Sequence, residues 1–452
     1  MKKMNLHVHK RKFIAVMALS AMAIFLAGLI YSRCRSVPKP NVVIVISDAL
    51  RRDHLGCYGY PRNTTPYLDS LSKRATVYKN AFAQAPSTKP SIASLFTSRY
   101  PSQHRAIYNR DALDPGYLTL AEILKDHEYR TAGFIENPKI SKRFMYDQGF
   151  DIWELDDRRH KPTPEAMEEF DQKIFNWLEG NAEAPVFLYI HYIDPHIPYD
   201  PPEGFRDVFD PDYNGNVVGT FVGVRALMRN RDPSDLAHVI ALYDEEIRYI
   251  DSRMKKLTDK LKQLKLWKDT LLIFTSDHGE GFFDHHSLFT HSNSVYAEEI
   301  NIPLIVYYPR LFPPQRDERY VQHIDIFPTL MHILGIDAAA LSLEGNDILS
   351  PADRDNAVIS EHLREGRRKQ RCLISGGWKL VQLINYDQFR LYNLVEDPTD
   401  SKDVAAKNSG TVDRLKARLT DWLADVRGTA TPPQVELDDD MIDKLKSLGY
   451  LQ

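Results

Sequence analysis

The heptapeptide NVVIVIS, residues 41–47, runs directly into Asp48 and has the composition of a strand that is buried on both faces. A second stretch of this kind, TLLIFTS at residues 270–276, runs into Asp277 and His278. Two further runs fit the same description, VFLYIH at 186–191 and IPLIVYY at 302–308. Continuous β-branched and aromatic runs are typical of parallel strands with helices on both sides. These strands predict an α/β fold with a large, mostly parallel central sheet.

Amphipathic segments between these strands predict helices at residues 65–75, 118–126, 163–178 and 235–264. After about Pro351 the pattern changes to short strands with charged turns, which predicts a smaller C-terminal α+β domain. We therefore divide the chain into residues 1–40, a larger domain at 41–350 and a smaller one at 351–452. The polar stretch 201–233 has no clear period, and we interpret it either as a lid over a site or as a plain surface loop.

The composition is that of an ordinary globular protein. The 452 residues include 58 Lys and Arg against 62 Asp and Glu, and a formal net charge of -4 gives no electrostatic basis for nucleic-acid binding. Three cysteines, Cys34, Cys57 and Cys372, are too few and too scattered for a disulfide framework or a zinc ribbon. The sequence leaves open one possible disulfide, between Cys57 and Cys372.

The N-terminal region contains one uncharged apolar run, FIAVMALSAMAIFLAGLIY at residues 13–31. As a helix this run would extend about 28 Å, close to the roughly 30 Å of a hydrocarbon core. Basic residues precede and follow it, so the positive-inside rule favours a cytoplasmic N-terminus modestly. We predict an uncleaved signal anchor, hence a single-pass membrane protein whose remaining chain is extracytoplasmic, either periplasmic or extracellular. The alternative is a cleaved signal peptide, for which the run is long and the following residues form a poor cleavage site.

Three side chains with metal-binding chemistry follow the two buried strands: Asp48, Asp277 and His278. Because ligands of open α/β sheets collect at the carboxyl ends of strands, we expect these side chains to converge. Two carboxylates and one imidazole suit a divalent cation. The alternative is that each aspartate only caps the segment that follows it.

The segment STKPSIASL, residues 87–95, predicts a helix with Pro90 at its first position and Thr88 just ahead of it. The backbone N–H groups and the macrodipole of a helix N-terminus favour a tetrahedral oxyanion, and a bound cation lowers the pKa of a hydroxyl. Thr88 is therefore a candidate nucleophile, with an ordinary helix cap as the alternative.

Two histidines are candidates for proton transfer or for holding a substrate oxygen, because imidazole titrates near neutrality. His196 lies in DPHIPY after the strand VFLYIH, and His291 follows the segment DHGEG. We assign His191, His285 and His286 to structural or supporting positions.

In this order, the pieces resemble the sulfatase family of the alkaline-phosphatase superfamily. The resemblance runs from about residue 41 to the closing LKSLGYL, through ISDALRRDHLGCYGYPRNTTPYLDSL, TKPSIASLFTSRYPSQH, HYIDPHIPY, SDHGEGFFDHH, HIDIFPTLMHILGI and LYNLVEDPTD. It implies an alkaline-phosphatase-like sandwich with residues 41–350 as the catalytic domain. By resemblance the metal ligands are Asp48, Thr88, Asp277 and His278. The resemblance also makes Thr88 the nucleophile and brings His196 and His291 to the substrate oxyanion or leaving group.

The position of the family's formylglycine departs from the pattern. Sulfatases carry a modifiable Cys or Ser within CxPxR, and the aligned residues 88–92 here are TKPSI, so both that residue and the Arg are missing. Thr88 cannot become formylglycine. In having a threonine at the position of the nucleophile, the chain instead resembles phosphodiesterases and phospho-headgroup transferases of the wider superfamily.

Other positions bear on the metal and the substrate. His278 replaces the Asn common in calcium sulfatases, which favours Mn or Zn over Ca or Mg. The Lys/His pair that binds sulfate in the family is not visible after Arg130-Thr131-Ala132, where Asn137 is the nearest polar candidate. We assign Arg51, Lys89 and Asn137 to substrate binding.

The sequence thus predicts a membrane-anchored hydrolase with one divalent cation and no formylglycine. It would cleave phosphate esters, or less readily sulfate esters, through Thr88, with surface glycans or lipids as candidate substrates. Three alternatives stay open: a transferase that moves a phospho-headgroup onto a surface lipid or glycan, a non-catalytic ester-binding protein, and a two-metal enzyme with Asp194, His196 and His291 as extra ligands.

Overall fold

Strand β1 (Asn41–Ser47) has the predicted bounds and lies inside the central sheet. In the computed structural model, which describes residues 39–156, 164–285, 289–350, 357–364, 366, 368–426 and 431–451, it pairs in parallel with β5 (Val186–Tyr192) and β6 (Thr270–Thr275). The chain from Pro40 onward clusters into one unit. The predicted anchor, residues 13–31, lies outside the described residues, and none of the described helices is long and apolar enough to cross a bilayer.

The remaining strands of the sheet are β2 (Thr76–Phe82), β3 (Arg130–Ile135), β4 (Ile152–Leu155), β9 (Asn301–Ile302), β10 (Leu304–Tyr307) and β11 (Gln315–Gln322). Their order is β11-β2-β10-β6-β1-β5-β3-β4, with β9 paired to β2. Most pairs are parallel, as predicted, but β10 is antiparallel to both β6 and β2. The prediction of a parallel strand at 302–308 is therefore wrong, because an apolar run does not encode the direction in which the chain re-enters a sheet.

Alternate residues of β1 pack in two different cores. Val42, Ile44 and Ile46 belong to one hydrophobic cluster, whereas Val43 and Val45 belong to another, and all five are completely buried. The sheet is thus covered on both faces, which explains why its strands are apolar without alternation.

Helices fill the layers on the two faces and the ends of the sheet. Four of them correspond closely to the predicted helices, and a fifth, α6, lies within the 201–233 stretch, whose role as a lid or a loop stays open. Their bounds are α1 (Pro66–Ser72), α2 (Thr88–Thr97), α3 (Pro101–His104), α4 (Leu120–Asp126), α5 (Pro164–Gly180), α6 (Phe221–Asn230), α7 (Pro233–Gln263), α8 (Ala297–Ile300), α9 (Ile326–Leu334), α10 (Ser409–Asp425) and α11 (Asp439–Ser447).

A second, antiparallel sheet follows residue 357. It has the order β12 (Val358–His362), β13 (Gln370–Ser375), β14 (Trp378–Leu383) and β15 (Gln388–Asn393), and Leu415 and Leu419 of α10 pack on it. This is the predicted C-terminal α+β element, whereas a domain boundary at 351 stays a prediction.

Two short strands, β7 (Gly281–Phe282) and β8 (Phe289–Thr290), pair with each other in the segment that follows β6. Cys57 and Cys372 are both buried free thiols, so the disulfide that the sequence left open is not formed.

Candidate metal centre and active site

The two predicted aspartates leave the central sheet at the same edge. Strands β1 and β6 are in parallel register up to Ile46 and Thr275, so Asp48 and Asp277 follow them side by side. Both aspartates and His278 are completely buried. The three side chains offer ligand atoms that all lie within 4.8 Å of one another.

In each of the two carboxylates, one oxygen accepts hydrogen bonds from the protein and the other accepts none from the described residues. Asp48 Oδ2 accepts hydrogen bonds from Asn137 Nδ2 at 2.6 Å and from His191 Nε2 at 3.0 Å. Asp277 Oδ1 accepts the backbone N–H groups of Ala49 at 3.1 Å and of the residue that follows Asp277 at 2.9 Å. Among the described residues, Asp48 Oδ1 and Asp277 Oδ2 have no hydrogen-bond partner although both are buried. Such orphaned buried oxygens are costly unless a cation binds them.

His278 turns a lone pair toward these two bare oxygens. Its Nδ1 lies 2.8 Å from the carbonyl oxygen of Gly279, which can only accept, so Nδ1 carries the proton and Nε2 of the neutral ring does not. Nε2 lies 3.6 Å from Asp48 Oδ1 and 3.4 Å from Asp277 Oδ2. In the neutral tautomer with the proton on Nδ1, Nε2 has a lone pair, and three electron-rich atoms then face one another.

These separations fit one divalent cation. Metal–ligand bonds of about 2.1 Å in tetrahedral geometry, or of about 2.4 Å in octahedral geometry, both set neighbouring ligand atoms about 3.4 Å apart. The chemistry of the donors, two carboxylate oxygens and an imidazole nitrogen, is suited to such an ion.

The pKa values of the two carboxyl groups are moved in opposite directions. Burial raises the pKa of Asp277, and the charge of Asp48 raises it further. The pKa of Asp48 is lowered despite its burial, because His196, His191 and His278 stabilise its carboxylate. A cation would favour ionisation of both groups.

Thr88 lies at the first position of α2, with Ser87 in an extended conformation before it. Helix α2 thus begins two residues earlier than predicted, and Pro90 is its third residue rather than its first. The Thr88 hydroxyl lies 3.4 Å from His278 Nε2 and 3.5 Å from Asn137 Nδ2. The Thr88 hydroxyl, the candidate cation site and a helix N-terminus therefore meet at one point.

The two predicted histidines lie next to the candidate metal ligands. The ring of His291 is centred 4.4 Å from that of His278 and 4.8 Å from that of His196. His291 Nδ1 bonds Glu280 Oε1 at 3.2 Å, and His196 Nδ1 donates to the carbonyl oxygen of Ile197 at 2.5 Å. Burial lowers the pKa of His196 to about 4 and that of His291 well below its ordinary value, so both rings are neutral at physiological pH.

Arg51 is engaged elsewhere, although we assign it to substrate binding. Its guanidinium forms ion pairs with Asp53 and Asp284, both at 2.8 Å, and donates to the carbonyl oxygen of Glu280 at 3.1 Å. These contacts favour a structural role in holding the loop after β6 over the predicted substrate contact.

Lys89 is also occupied, although it lies next to Thr88. Its ammonium donates to the backbone carbonyl oxygens of Asn109 at 3.0 Å and Asp111 at 2.8 Å, and it lies 3.3 Å from the centroid of the Phe144 ring. These contacts favour a structural role in fixing the backbone, although Lys89 also lines the pocket that opens at the start of α2, and its assignment to substrate binding stays a prediction. Of the three residues assigned to substrate binding, Asn137 is the one whose side chain bonds a candidate metal ligand, Asp48.

Four residues lie at the site although the sequence did not predict a functional role for them: Tyr450, Lys139, Glu280 and His191. Tyr450 Oη lies 2.8 Å from His196 Nε2, and the Lys139 ammonium lies 3.5 Å from the centroid of the Tyr450 ring. Burial, together with the positive charge of Arg364, lowers the pKa of Lys139 to about 7. Sequence signals existed for three of them, since Lys139 follows Asn137 by two positions, Glu280 lies in DHGEG and Tyr450 lies in the closing LKSLGYL.

A second group of metal-ligating residues among the described part of the chain comprises His285, Glu298 and Asp400. His285 Nδ1 contacts Glu298 Oε1 at 2.7 Å, and its Nε2 donates to the carbonyl oxygen of Asp400 at 3.0 Å. The Asp400 carboxylate pairs with Lys379. With both ring nitrogens engaged, His285 has no lone pair for a metal. The predicted two-metal alternative gains no support, since neither group contains Asp194, His196 or His291.

Comparisons with known proteins agree with this architecture. A family model described as Sulfatase matches residues 40–336, and a model described as N-sulphoglucosamine sulphohydrolase, C-terminal, matches residues 280–428. The ulvan-active sulfatase of Formosa agariphila is 27% identical over 360 residues, which cover 71% of this chain and 68% of that protein. Human arylsulfatase K is 23% identical over 379 residues, covering 72% and 68% of the two chains.

Solved structures resemble the fold at lower identity. The phosphonate monoester hydrolase of Agrobacterium radiobacter has a TM-score of 0.70 at 20% identity and covers 86% of this chain and 96% of its own. A protein solved in complex with its substrate D-glucosamine-2-N,6-O-disulfate has a TM-score of 0.72 at 16% identity, with 86% and 98% covered. These likenesses concern the fold, and the match of the Sulfatase model over residues 40–336 shows that the chain belongs to the sulfatase family.

Proposed function

We propose that this chain is a metal-dependent ester hydrolase in which Thr88 replaces formylglycine as the nucleophile. The observation that carries the proposal is the convergence of Asp48 Oδ1, Asp277 Oδ2 and the unprotonated His278 Nε2, with the Thr88 hydroxyl 3.4 Å from that nitrogen. A hydroxyl is a weak nucleophile at its free pKa, so its position beside a cation site gives it the activation that it needs.

The reaction has two steps. When bound, the divalent cation supplies Lewis-acid polarisation of the ester and lowers the pKa of the neighbouring hydroxyl. Thr88 Oγ1 attacks the central phosphorus, the bond to the leaving oxygen breaks, and a covalent Thr88 ester forms. Water then cleaves that ester and restores the hydroxyl.

The surrounding side chains stabilise and orient the reacting group. The N-terminal N–H groups of α2 favour the negative charge that develops on the transferred group. Asn137 holds Asp48. Glu280 Oε1 bonds His291 Nδ1, so we assign His291 Nε2 to take up the proton that Thr88 loses and to pass it to the leaving oxygen.

Phosphate or phosphonate esters are the favoured substrates, because Thr88 has no second hydroxyl through which a sulfated intermediate could break down by elimination. Sulfate esters are the second candidate, since relatives include an ulvan-active sulfatase and arylsulfatase K. The imidazole of His278 among the ligands favours Mn or Zn as the cation over Ca or Mg.

A pocket beside the centre supports an anionic substrate such as a surface glycan or a lipid headgroup. It opens between the start of α2 and the end of β12, and its lining includes Lys139, Ser292 and Arg364. The repulsion between Lys139 and Arg364 is relieved when an anion binds between them.

Turnover by the purified full chain tests the proposed function. The substrates are 4-nitrophenyl phosphate, bis(4-nitrophenyl) phosphate and 4-nitrophenyl sulfate, each with Mn, Zn, Ca or Mg added to metal-free protein. We expect metal-dependent phosphoester turnover that Thr88→Ala abolishes and that Thr88→Ser, which keeps a hydroxyl, largely retains. Full turnover by Thr88→Ala would refute the nucleophile, and turnover of sulfate alone would refute the preference for phosphorus. Transfer of the phosphoryl group to added glycerol would instead identify a transferase.

We also propose that residues 13–31 anchor the chain in a membrane with residues 41–452 outside the cytoplasm. The support is the length and apolarity of that segment. Fractionation of cells that express the full chain, followed by protease treatment of intact cells, tests it. Recovery of full-length chain in the soluble cytoplasmic fraction would refute the anchor.

A further inference from the structure

Helix α6 lies beside the candidate site. A Cβ atom added at Gly449 would lie 2.2 Å from ring atoms of Phe221, so the first residue of α6 packs on the backbone next to Tyr450. Just before the helix, the carbonyl oxygen of Gly219 accepts the backbone N–H of Tyr199, in the segment DPHIPY, at 2.8 Å. The chain around α6 is therefore fixed to two of the segments that form the site.

One face of α6 is buried and the opposite face is exposed. Gly223, Val224 and Leu227 are buried, and the last two pack in the same core cluster as Val239 of α7. Side chains that are three, four and seven positions apart share one face of a helix. The exposed face is formed by Val222, Arg225, Ala226 and Arg229.

This exposed surface contains aliphatic side chains. Val222 is 79% exposed, and Val218 before the helix and Met228 within it are 55% and 43% exposed. Single exposed valines are ordinary on a protein surface, but several exposed aliphatic side chains on and beside one helix are typical of an interaction surface. We name this surface, residues 218–229, the α6 face.

The charges around the α6 face are all positive. Residues 213–231 contain Arg225, Arg229 and Arg231 but no Asp or Glu. Arg231 lies 5.1 Å from the centroid of the Phe283 ring, whereas Arg225 and Arg229 form no ion pair with the described residues. A partner that binds here should therefore be anionic.

The combination of aliphatic and arginine side chains selects among anionic partners. At a bilayer surface, aliphatic side chains enter the boundary between headgroups and acyl chains, and arginines pair with lipid phosphates. An anionic glycan, which is rich in hydroxyl groups, would pair with the arginines but would gain little from the valines and the methionine. The α6 face therefore fits an anionic bilayer better than a glycan.

We propose that the α6 face docks on an anionic lipid bilayer and holds the neighbouring site close to the lipid headgroups. Arg225 and Arg229 bind phosphate groups, while Val218, Val222 and Met228 enter the headgroup boundary. Docking of this kind is reversible and depends on the lipid composition. It requires neither a metal nor turnover. Only its consequence, that a headgroup ester reaches the site, rests on the proposed function.

A fluorescent label at position 222 of the full chain tests the docking. Val222→Cys is combined with Cys34→Ser, since Cys57 and Cys372 are buried, and is labelled with nitrobenzoxadiazole. The protein is reconstituted with vesicles of phosphatidylcholine alone, or of equal parts of phosphatidylcholine and phosphatidylglycerol. On the anionic vesicles we expect the emission to shift to shorter wavelength and to be quenched by brominated acyl chains.

Val395→Cys in the same background is the matched control, because Val395 is 77% exposed and lies in the C-terminal region after β15. Its label should stay in water on both kinds of vesicle. A label at position 222 that also stays in water on the anionic vesicles would overturn the proposal. The double variant Arg225→Glu/Arg229→Glu should abolish the shift at position 222 without lowering Tm, and a retained shift would contradict the role of the arginines.

The other occupants of the α6 face give different results. A label that responds to dextran sulfate but not to anionic vesicles would identify a polyanion-binding surface and overturn the bilayer. A response that needs no vesicles and grows with protein concentration would identify a second copy of the chain, with the same consequence.

These readouts also separate docking from the proposed function. If Thr88→Ala keeps full turnover of 4-nitrophenyl phosphate, the proposed function fails, while insertion of the label at position 222 still supports docking. If turnover depends on Thr88 but the label stays in water, docking alone fails.

Discussion

At the residue scale, Asp277 divides its two oxygens between the fold and the site. Oδ1 accepts hydrogen bonds from two backbone N–H groups, whereas Oδ2 has no hydrogen-bond partner among the described residues. The oxygen of an asparagine amide could accept the same two hydrogen bonds as Oδ1. Burial and the neighbouring Asp48 raise the pKa of Asp277, so the metal-free protein holds an unfavourable charge pair. The carboxylate therefore destabilises the metal-free fold, which is what the proposed role of Asp277 as a metal ligand leads us to expect.

Asp277→Asn should therefore separate folding from metal binding. We expect the metal-free variant to be at least as heat-stable as the unmodified protein, while its affinity for Mn or Zn falls at least about 100-fold. Thermal melts with and without metal, combined with calorimetric titration, measure both effects, because a ligand that binds only the native state raises Tm. Asp269→Asn, at the surface, is the control. A variant that loses stability but still binds metal would contradict the assignment.

The residues that sequence reasoning brought together are those that end neighbouring strands or begin the helix beside them. Asp48 and Asp277 follow continuous apolar runs, and such runs predict both the strand and its carboxyl end. Tyr450 reaches the centre only through the packing of α11, and no local pattern records that contact. Arg51 and Lys89 were assigned by position, but each also has a partner that is distant in sequence: the Asp284 carboxylate for Arg51 and the Asp111 carbonyl oxygen for Lys89.

At the element scale, α2 is buried along its whole length, so the position of Thr88 depends on how this helix is held. One such contact joins Ser94 Oγ of α2 to His104 Nε2, at the end of α3, at 3.0 Å. His104 Nδ1 accepts the backbone N–H of Ala106 at 3.2 Å, so the buried ring is neutral, with its proton on Nε2. Protonation of Nδ1 would break the bond to Ala106.

This arrangement predicts an acid sensitivity. Burial lowers the pKa of His104 to about 3, below the roughly 6.5 of an unfolded histidine, so its contribution to stability is complete above pH 6.5 and is lost as pH falls. The loss is about 1.4 kcal/mol per pH unit in that range. Urea unfolding at pH 7.5 and pH 5.0 should show His104→Gln losing about 2 kcal/mol less than the unmodified protein. Equal losses in the two proteins would contradict this role of His104. The similarly buried His323 also makes stability depend on pH, but both proteins contain it, so its effect cancels in the comparison.

At the scale of the whole molecule, the central sheet and the C-terminal sheet are connected beside the candidate site. His285, at the end of the loop that follows β7, stacks on Tyr296 at 3.8 Å between ring centroids and bonds both Glu298 and the backbone of Asp400. Asp400 in turn pairs with Lys379 of β14. The loop that carries Glu280 and follows His278 is thus tied to the C-terminal sheet by one imidazole.

This connection predicts a loss of stability at alkaline pH. Burial alone would lower the pKa of His285, but the hydrogen bond and charge of Glu298 and the contact with Asp400 outweigh it, so the pKa is raised. Its contribution to stability is therefore complete below about pH 6.5 and is lost as pH rises through the folded-state pKa. We expect His285→Gln to lower the free energy of unfolding by about 1 kcal/mol at pH 6.0 and by clearly less at pH 9.0, measured by urea unfolding. A gap of the same size at both values would mean that the ring acts through stacking on Tyr296 rather than through its charge, and the loop would then be held independently of pH.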